Sequence, residues 1–163
     1  MPGDPATLVY MDGMTPSKLL KAVSKGHVIV ARYITMEVYF LFENKKYLPG
    51  DRIEITGDSE FENDIVASGT IKINEETYGK NIIPELYLIE NGVKREVVLE
   101  KRDERTYMAD VVTNWHTIDW EWKRFEVLSK DYGFLGYVNP IFHGRKKSKL
   151  KTFGEAVQLW RGQ

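Results

Sequence analysis

The chain has no cysteine. That absence removes disulfides, cysteine–zinc centres and a thiol nucleophile from consideration. Histidine is scarce: His27, His116 and His143 are the only three, and no two stand at helical or hairpin ligand spacing. A histidine-built metal centre would need distant segments to meet, so neither metal nor cofactor is expected. No apolar run approaches the ~18 residues of a membrane span. The opening "MPGDPATLVYMDG" has neither a basic n-region nor an apolar h-region. The expectation is a cytoplasmic protein without a membrane partner. Also missing are a glycine-rich phosphate loop before a helix, a Gly-x-Ser-x-Gly elbow and a His-Glu-x-x-His pair. Carboxylates abound in "DSEFEND" and "EKRDE", but abundance alone singles out no acid–base pair, and these runs read as solvated turns.

The 163 residues, 42% hydrophobic and 29% charged, have the proportions of an ordinary globular chain. Such a chain can bury roughly two thirds of its unfolded surface without a staple. One domain over 1–163 is expected, with 1–14 as a loosely ordered lead. The formal charge of −1 conceals an asymmetry. Within "FHGRKKSKLKTF" lie Arg145, Lys146, Lys147, Lys149 and Lys151, so the rest of the chain carries −6. That local density matters more to a polyanion than the overall balance does.

In "TPSKLLKAVSKG", Thr15 can accept from a first-turn amide, Pro16 suits N1 and Gly26 suits the left-handed position past the end. A helix over 16–25 follows, with Leu19, Leu20 and Val23 as its apolar stripe and Lys18, Lys21 and Lys25 outside it or at its edge. "HVIVARYITMEVYFLFE" is rich in β-branched and aromatic residues and reads as one bent strand or two meeting near Thr35. Pro49-Gly50 marks a tight reversal before "RIEIT". "DIVASGTIKI" reads as a strand in which Gly69 suggests a bulge or a close approach. Two strand-like runs flank Asn91-Gly92, the dipeptide that best tolerates positive φ at both corners of a type I′ turn. "RTYMADVV" adds another strand. Six or seven strands in about ninety residues have the spacing of a barrel or sandwich.

All four tryptophans lie after residue 114. "DWEWKRFEVLSKDYGF" reads as a helix near 119–131, with Trp122 and Phe125 on its buried side and Gly133 at its end. A last helix near 153–161 opens with Thr152 and Glu155 at capping-box spacing. The fold class read from this pattern is α+β: a small, mostly antiparallel β-barrel with three flanking helices.

Three groups are candidates for a site. The five cations repel one another, and each can neutralise a phosphate. Lys18, Lys21 and Lys25 form a second basic patch. In "NWHTIDWEW", Trp115 and His116 offer faces on which unpaired bases can stack, whereas Trp122 and Trp160 read as core. Arg32 sits inside an apolar run, where an unpaired charge is costly, and so is a pocket candidate.

The order of elements resembles the ASCH domains of the PUA-like superfamily: a helix ending in Lys-Gly, a strand carrying an arginine, the turn in "LPGDRIEI", a strand with a central glycine, and "DYGF". The likeness covers Thr15 to Ile73 and Phe125 to Phe134, and the hairpin in "LYLIENGVKREVVL" reads as an insertion. It implies a PUA-like barrel, RNA binding and, in some members, hydrolysis of modified nucleosides. The family's Gly-x-Lys-x-x-Glu-x-Arg is not matched: with Gly26 as its glycine, Val28, Ala31 and Tyr33 stand at the other three places, and Arg32 lies one position off. The resulting expectation is an RNA- or single-strand-binding module. A hydrolase acting in the barrel mouth and a protein-interaction module are the alternatives.

Overall fold

The computed structural model describes residues 5–54, 64–74, 81–115 and 120–144. Among them the protein is mostly antiparallel β structure with one helix. In chain order the elements are β1 (Ala6–Val9), α1 (Pro16–Lys25), β2 (Val28–Ala31), β3 (Ile34–Phe42), β4 (Lys45–Tyr47), β5 (Arg52–Ile53) and β6 (Asp64–Ile73). There follow β7 (Glu85–Glu90), β8 (Val93–Val97), β9 (Glu100–Lys101), β10 (Thr106–Asn114), β11 (Trp120–Ser129), β12 (Gly133–Val138) and β13 (Ile141–Gly144).

Among the described residues the strands are mostly antiparallel, as expected, and form two sheets in which no closed barrel is found. One sheet has five strands in the order β4-β3-β6-β10-β9. The other has eight: β1-β2-β12-β11-β13-β5 form a path, and β7, carrying β8, pairs with β11. Alternation makes each sheet one-sided. In β3, Ile34, Met36, Val38, Phe40 and Phe42 point inward while Thr35 and Glu37 face solvent. The inner faces meet where Phe40 of β3 stacks on Phe125 of β11 at 6.1 Å. Gly69 faces that contact: a Cβ there would lie 3.5 Å from the Phe125 ring, and the register through it is unbroken. It marks a close approach and not a bulge.

The expected helix near 119–131 is instead β11, followed by β12. Trp122 and Phe125, three residues apart, would share a helix face; in the strand they point to opposite sides. Gly133, at φ +65, is the first residue of β12, opposite Ser129 of β11. The segment 153–161 lies outside the described residues. Within 1–14, Ala6–Val9 is a strand, paired with β2 from Ala6↔Ala31 to Val9↔Val28. The long apolar run at 27–43 divides at Arg32-Tyr33, where Tyr33 takes φ +64 and the chain passes from one sheet to the other. The Asn91-Gly92 turn has positive φ at both corners and joins β7 to β8.

The ends of α1 form as its sequence requires. Thr15 accepts from the Lys18 amide, Pro16 opens the helix and Gly26 closes it at φ +78. Only Ala22 is buried, while Leu19, Leu20 and Val23 are exposed. Neither stripe is packed, since Lys18, Lys21 and Lys25 are exposed as well. The C-terminus is held tightly: Asn139 donates to the Gly26 carbonyl at 2.9 Å, and Gly50 lies against the backbone of Lys25 and Gly26.

A Cβ at Gly50 would collide with that backbone, and the residue also sits at φ +94. Gly50→Ala is therefore expected to cost about 2–4 kcal/mol in urea unfolding. Gly92→Ala, at similar φ but with open space around it, should cost only about 1 kcal/mol. Equal losses would show that the contact with α1 contributes nothing.

Candidate functional site

Two regions gather the groups that can bind a ligand. The first is the outer face of the eight-stranded sheet. Alternation along β11 sends Trp120, Trp122, Arg124 and Glu126 outward and Glu121, Lys123, Phe125 and Val127 inward. Trp122 stands directly opposite Phe142 of β13, and Phe142 opposite Arg52 of β5. The rings of Trp120 and Phe142 are near-parallel, 6.4 Å apart. The Arg124 guanidinium lies between Trp122 at 5.8 Å and Tyr137 at 5.4 Å. Lys94 sits 3.8 Å from the centre of the Tyr87 ring, and both Lys94 and Arg124 pair with Glu126. Apart from the exposed Arg52 and Lys94, these side chains are half-buried. Aromatic planes interleaved with cations offer stacking and charge to a ligand having both π-faces and phosphates.

An inward cluster fixes this face. Lys123 is fully buried and donates to Glu90 at 2.7 Å, its direct cross-strand partner on β7. Thr113, on the other sheet, donates to the same carboxylate, and Arg95 lies 3.6 Å from it. Burial alone would raise the Glu90 carboxyl; the hydrogen bonds from Lys123 and Thr113, with the charges of Lys123 and Arg95, outweigh it and hold the group below its ordinary range. The turn residue Asn91 bonds to both the Glu121 carboxylate and the Trp122 amide, each at 2.9 Å.

Trp115 belongs to this interior. It is 2% exposed, lies 5.4 Å from the His143 ring and has the Lys123 ammonium 5.0 Å from its own ring centre. So enclosed, it offers no open plane to a base, while Trp122, expected in the core, faces outward. His143 is itself buried, its Nδ1 3.2 Å from the Ile53 carbonyl oxygen. His116 and the stretch with Arg145, Lys146, Lys147, Lys149 and Lys151 lie outside the described residues.

The second region is a cavity of about 600 Å³ beneath α1. Lys18, Lys21 and Lys25 share one helical stripe with Ala22 and line it, together with Tyr10, Met11, Asp12, His27 and Leu48. At one side His27 meets Asp51 at 3.0 Å, and Asp51 also accepts from the Leu48 amide. Tyr10 closes another side, its hydroxyl accepting from the Val38 amide at 2.7 Å. Among the described residues none of the three lysines has an ion-pair partner. Arg32 does not line this cavity; its guanidinium donates to the Tyr33 hydroxyl at 2.8 Å and lies over that ring. The structure thus brings together the three helix lysines, but not Arg32 or Trp115 with them.

Sequence reasoning missed Trp120, Phe142, Arg124, Arg52 and the Lys123–Glu90 pair. The available signal was a strict two-residue alternation in "WEWKRFEVLS", obscured because its inward positions include Glu121 and Lys123. The chain matches no family model, no curated protein and no solved structure.

Replacing Glu90 tests the cluster. Glu90→Ala strands a buried ammonium and is expected to cost about 3–5 kcal/mol at neutral pH. Because the folded carboxyl titrates below its unfolded value of about 4.3, its stabilisation is full above that value and fades as pH falls through the lower folded one. Glu90→Gln should therefore be less stable at pH 7 and vary less with pH in the acid limb. Urea midpoints from neutral pH down to about 3 check this; parallel curves for variant and wild type would contradict it.

Proposed function

We propose that the protein binds single-stranded nucleic acid, RNA in the first instance, across the outer face of its eight-stranded sheet. Bases stack on Trp122 and on the Trp120–Phe142 pair, and Arg52 and Arg124 meet phosphates or lie flat against bases. The observation that carries the reading is the row Trp122–Phe142–Arg52, in register across three strands. Unpaired bases are gripped by aromatic planes on a sheet, and alternating cations follow the backbone between them.

The covalent chain adds support. β13 carries Phe142 and ends at Gly144, whose carbonyl accepts from Arg52 and which stands opposite Trp120. Arg145 is the next residue, and all five cations follow within seven. Even fully extended, seven residues reach about 25 Å, so chain length alone tethers this charge to the aromatic row. A duplex hides the faces of its bases, so a single strand suits these planes better.

Trp122→Ala is expected to weaken binding to a pyrimidine-rich RNA oligonucleotide by about five- to 150-fold, the worth of one stacked base. Neutralising Lys146, Lys147 and Lys149 together should flatten the dependence of log K on log salt by about one to three units. Fluorescence anisotropy at several salt concentrations reads both. Unchanged affinity in Trp122→Ala would remove the sheet face from the site, and an unchanged slope in the triple variant would remove the basic stretch. Equal affinity for heparin would reduce the activity to general polyanion attraction.

A further inference from the structure

α1 leaves both its cationic and its apolar stripe exposed. Its cationic stripe, Lys18, Lys21 and Lys25, flanks the buried Ala22 and lines an open cavity of about 600 Å³, with the lysines themselves exposed. Its apolar stripe turns to solvent: Leu20 is 70% exposed, Val23 48% and Leu19 41%, and Met14 just before the helix is 91% exposed. Exposed large apolar side chains are ordinary when scattered, but four beside one short helix form a ridge. The helix has no acidic residue, and the three ammonium groups lack ion-pair partners among the described residues. The ridge is also rigidly mounted, because Asn139 holds the helix C-terminus and Gly50 packs against it.

We propose that this ridge docks on an anionic lipid surface, with Met14, Leu19, Leu20 and Val23 entering the acyl boundary and the lysines meeting headgroup phosphates at the mouth of the cavity behind them. The charge pattern favours this occupant over others. A second copy of the chain would cover the apolar ridge but leave the three ammonium groups, on the opposite face of the helix, without a counter-charge. A nucleic-acid backbone would engage the lysines and leave the apolar ridge in water. A lipid leaflet supplies an apolar layer and a plane of phosphates together, and lysine stems can lie along the first while their heads reach the second. Anionic lipid adds attraction for each cation held near its surface, and salt weakens it. The proposal concerns different side chains from those on the sheet face, so it stands or falls separately from the nucleic-acid reading.

The test is co-sedimentation of the full chain with vesicles of phosphatidylcholine alone and with phosphatidylcholine–phosphatidylserine mixtures. Wild-type protein is expected to pellet with the mixed vesicles and to remain in the supernatant with the neutral ones. Leu20→Ser and Met14→Ser, both at solvent-facing positions, should each lower partitioning by about tenfold. Lys21→Gln should lower it as well, and circular dichroism should be unchanged in all three. RNA affinity should be unaffected in Leu20→Ser and Met14→Ser. Wild-type protein left in the supernatant with mixed vesicles would overturn the proposal. So would pelleting that survives both apolar substitutions, since charge alone would then account for it. A dimer in solution that Leu20→Ser abolishes would assign the ridge to a second copy and overturn it equally.

Discussion

The ammonium of Lys123 is buried between two sheets and has to be neutralised there. Glu90 does this from the neighbouring strand, and Thr113 reaches the same carboxylate from the opposite sheet. An unpaired charge in such a place would be too costly to keep, so the pair permits only one register of β11 against β7. Because side chains alternate, that register also decides the other face. A slip of one residue would place Lys123 in solvent and Trp122 inside. The outward row of Trp122, Phe142 and Arg52 therefore depends on an inward ion pair. Asn91 reinforces it, since one side-chain amide holds both Glu121 and the backbone of Trp122.

The other end of the molecule follows a comparable logic with backbone in place of charge. Gly50 lets one turn touch the end of α1, and Asp51 joins that turn to His27. The helix is thereby fixed with its lysines along the rim of the cavity they line. Its amphipathic pattern, which in most helices fixes the buried face, is overridden by this attachment. The apolar stripe left outside is thus a consequence of the geometry at the C-terminal end.

What the sequence made legible was local chemistry. The caps of α1 and the Asn91-Gly92 hairpin follow from the conformations that Thr15, Pro16, Gly26, Asn91 and Gly92 allow, and each formed as expected. The strand β6 was legible because Ile65, Val66, Thr70, Ile71 and Ile73 favour a strand despite the glycine between them. What was not legible depended on distant partners. In "WEWKRFEVLS" the inward set includes a glutamate and a lysine while the outward set includes two tryptophans, so polarity inverts the usual signal. Glu121 and Lys123 are accommodated inside with the help of Asn91 and Glu90, some thirty residues earlier. The spacing of Trp122 and Phe125 then imitates a helix. Trp115 lies inside and Trp122 on the outer side, the reverse of the burial expected of them. The direction in which α1 faces was hidden likewise, since Gly50 and Asn139 are remote in sequence from the helix they hold.

The central claim is that the period of β11 puts Trp120 and Trp122 on a binding face and Trp115 in the core. The most direct measurement is a titration of the protein with a pyrimidine-rich RNA oligonucleotide, followed through the indole N–H resonances assigned by single tryptophan substitutions. The account expects the Trp120 and Trp122 signals to move progressively to saturation while the Trp115 signal stays in place. A shift confined to Trp115, or saturation with neither outer indole disturbed, would contradict it.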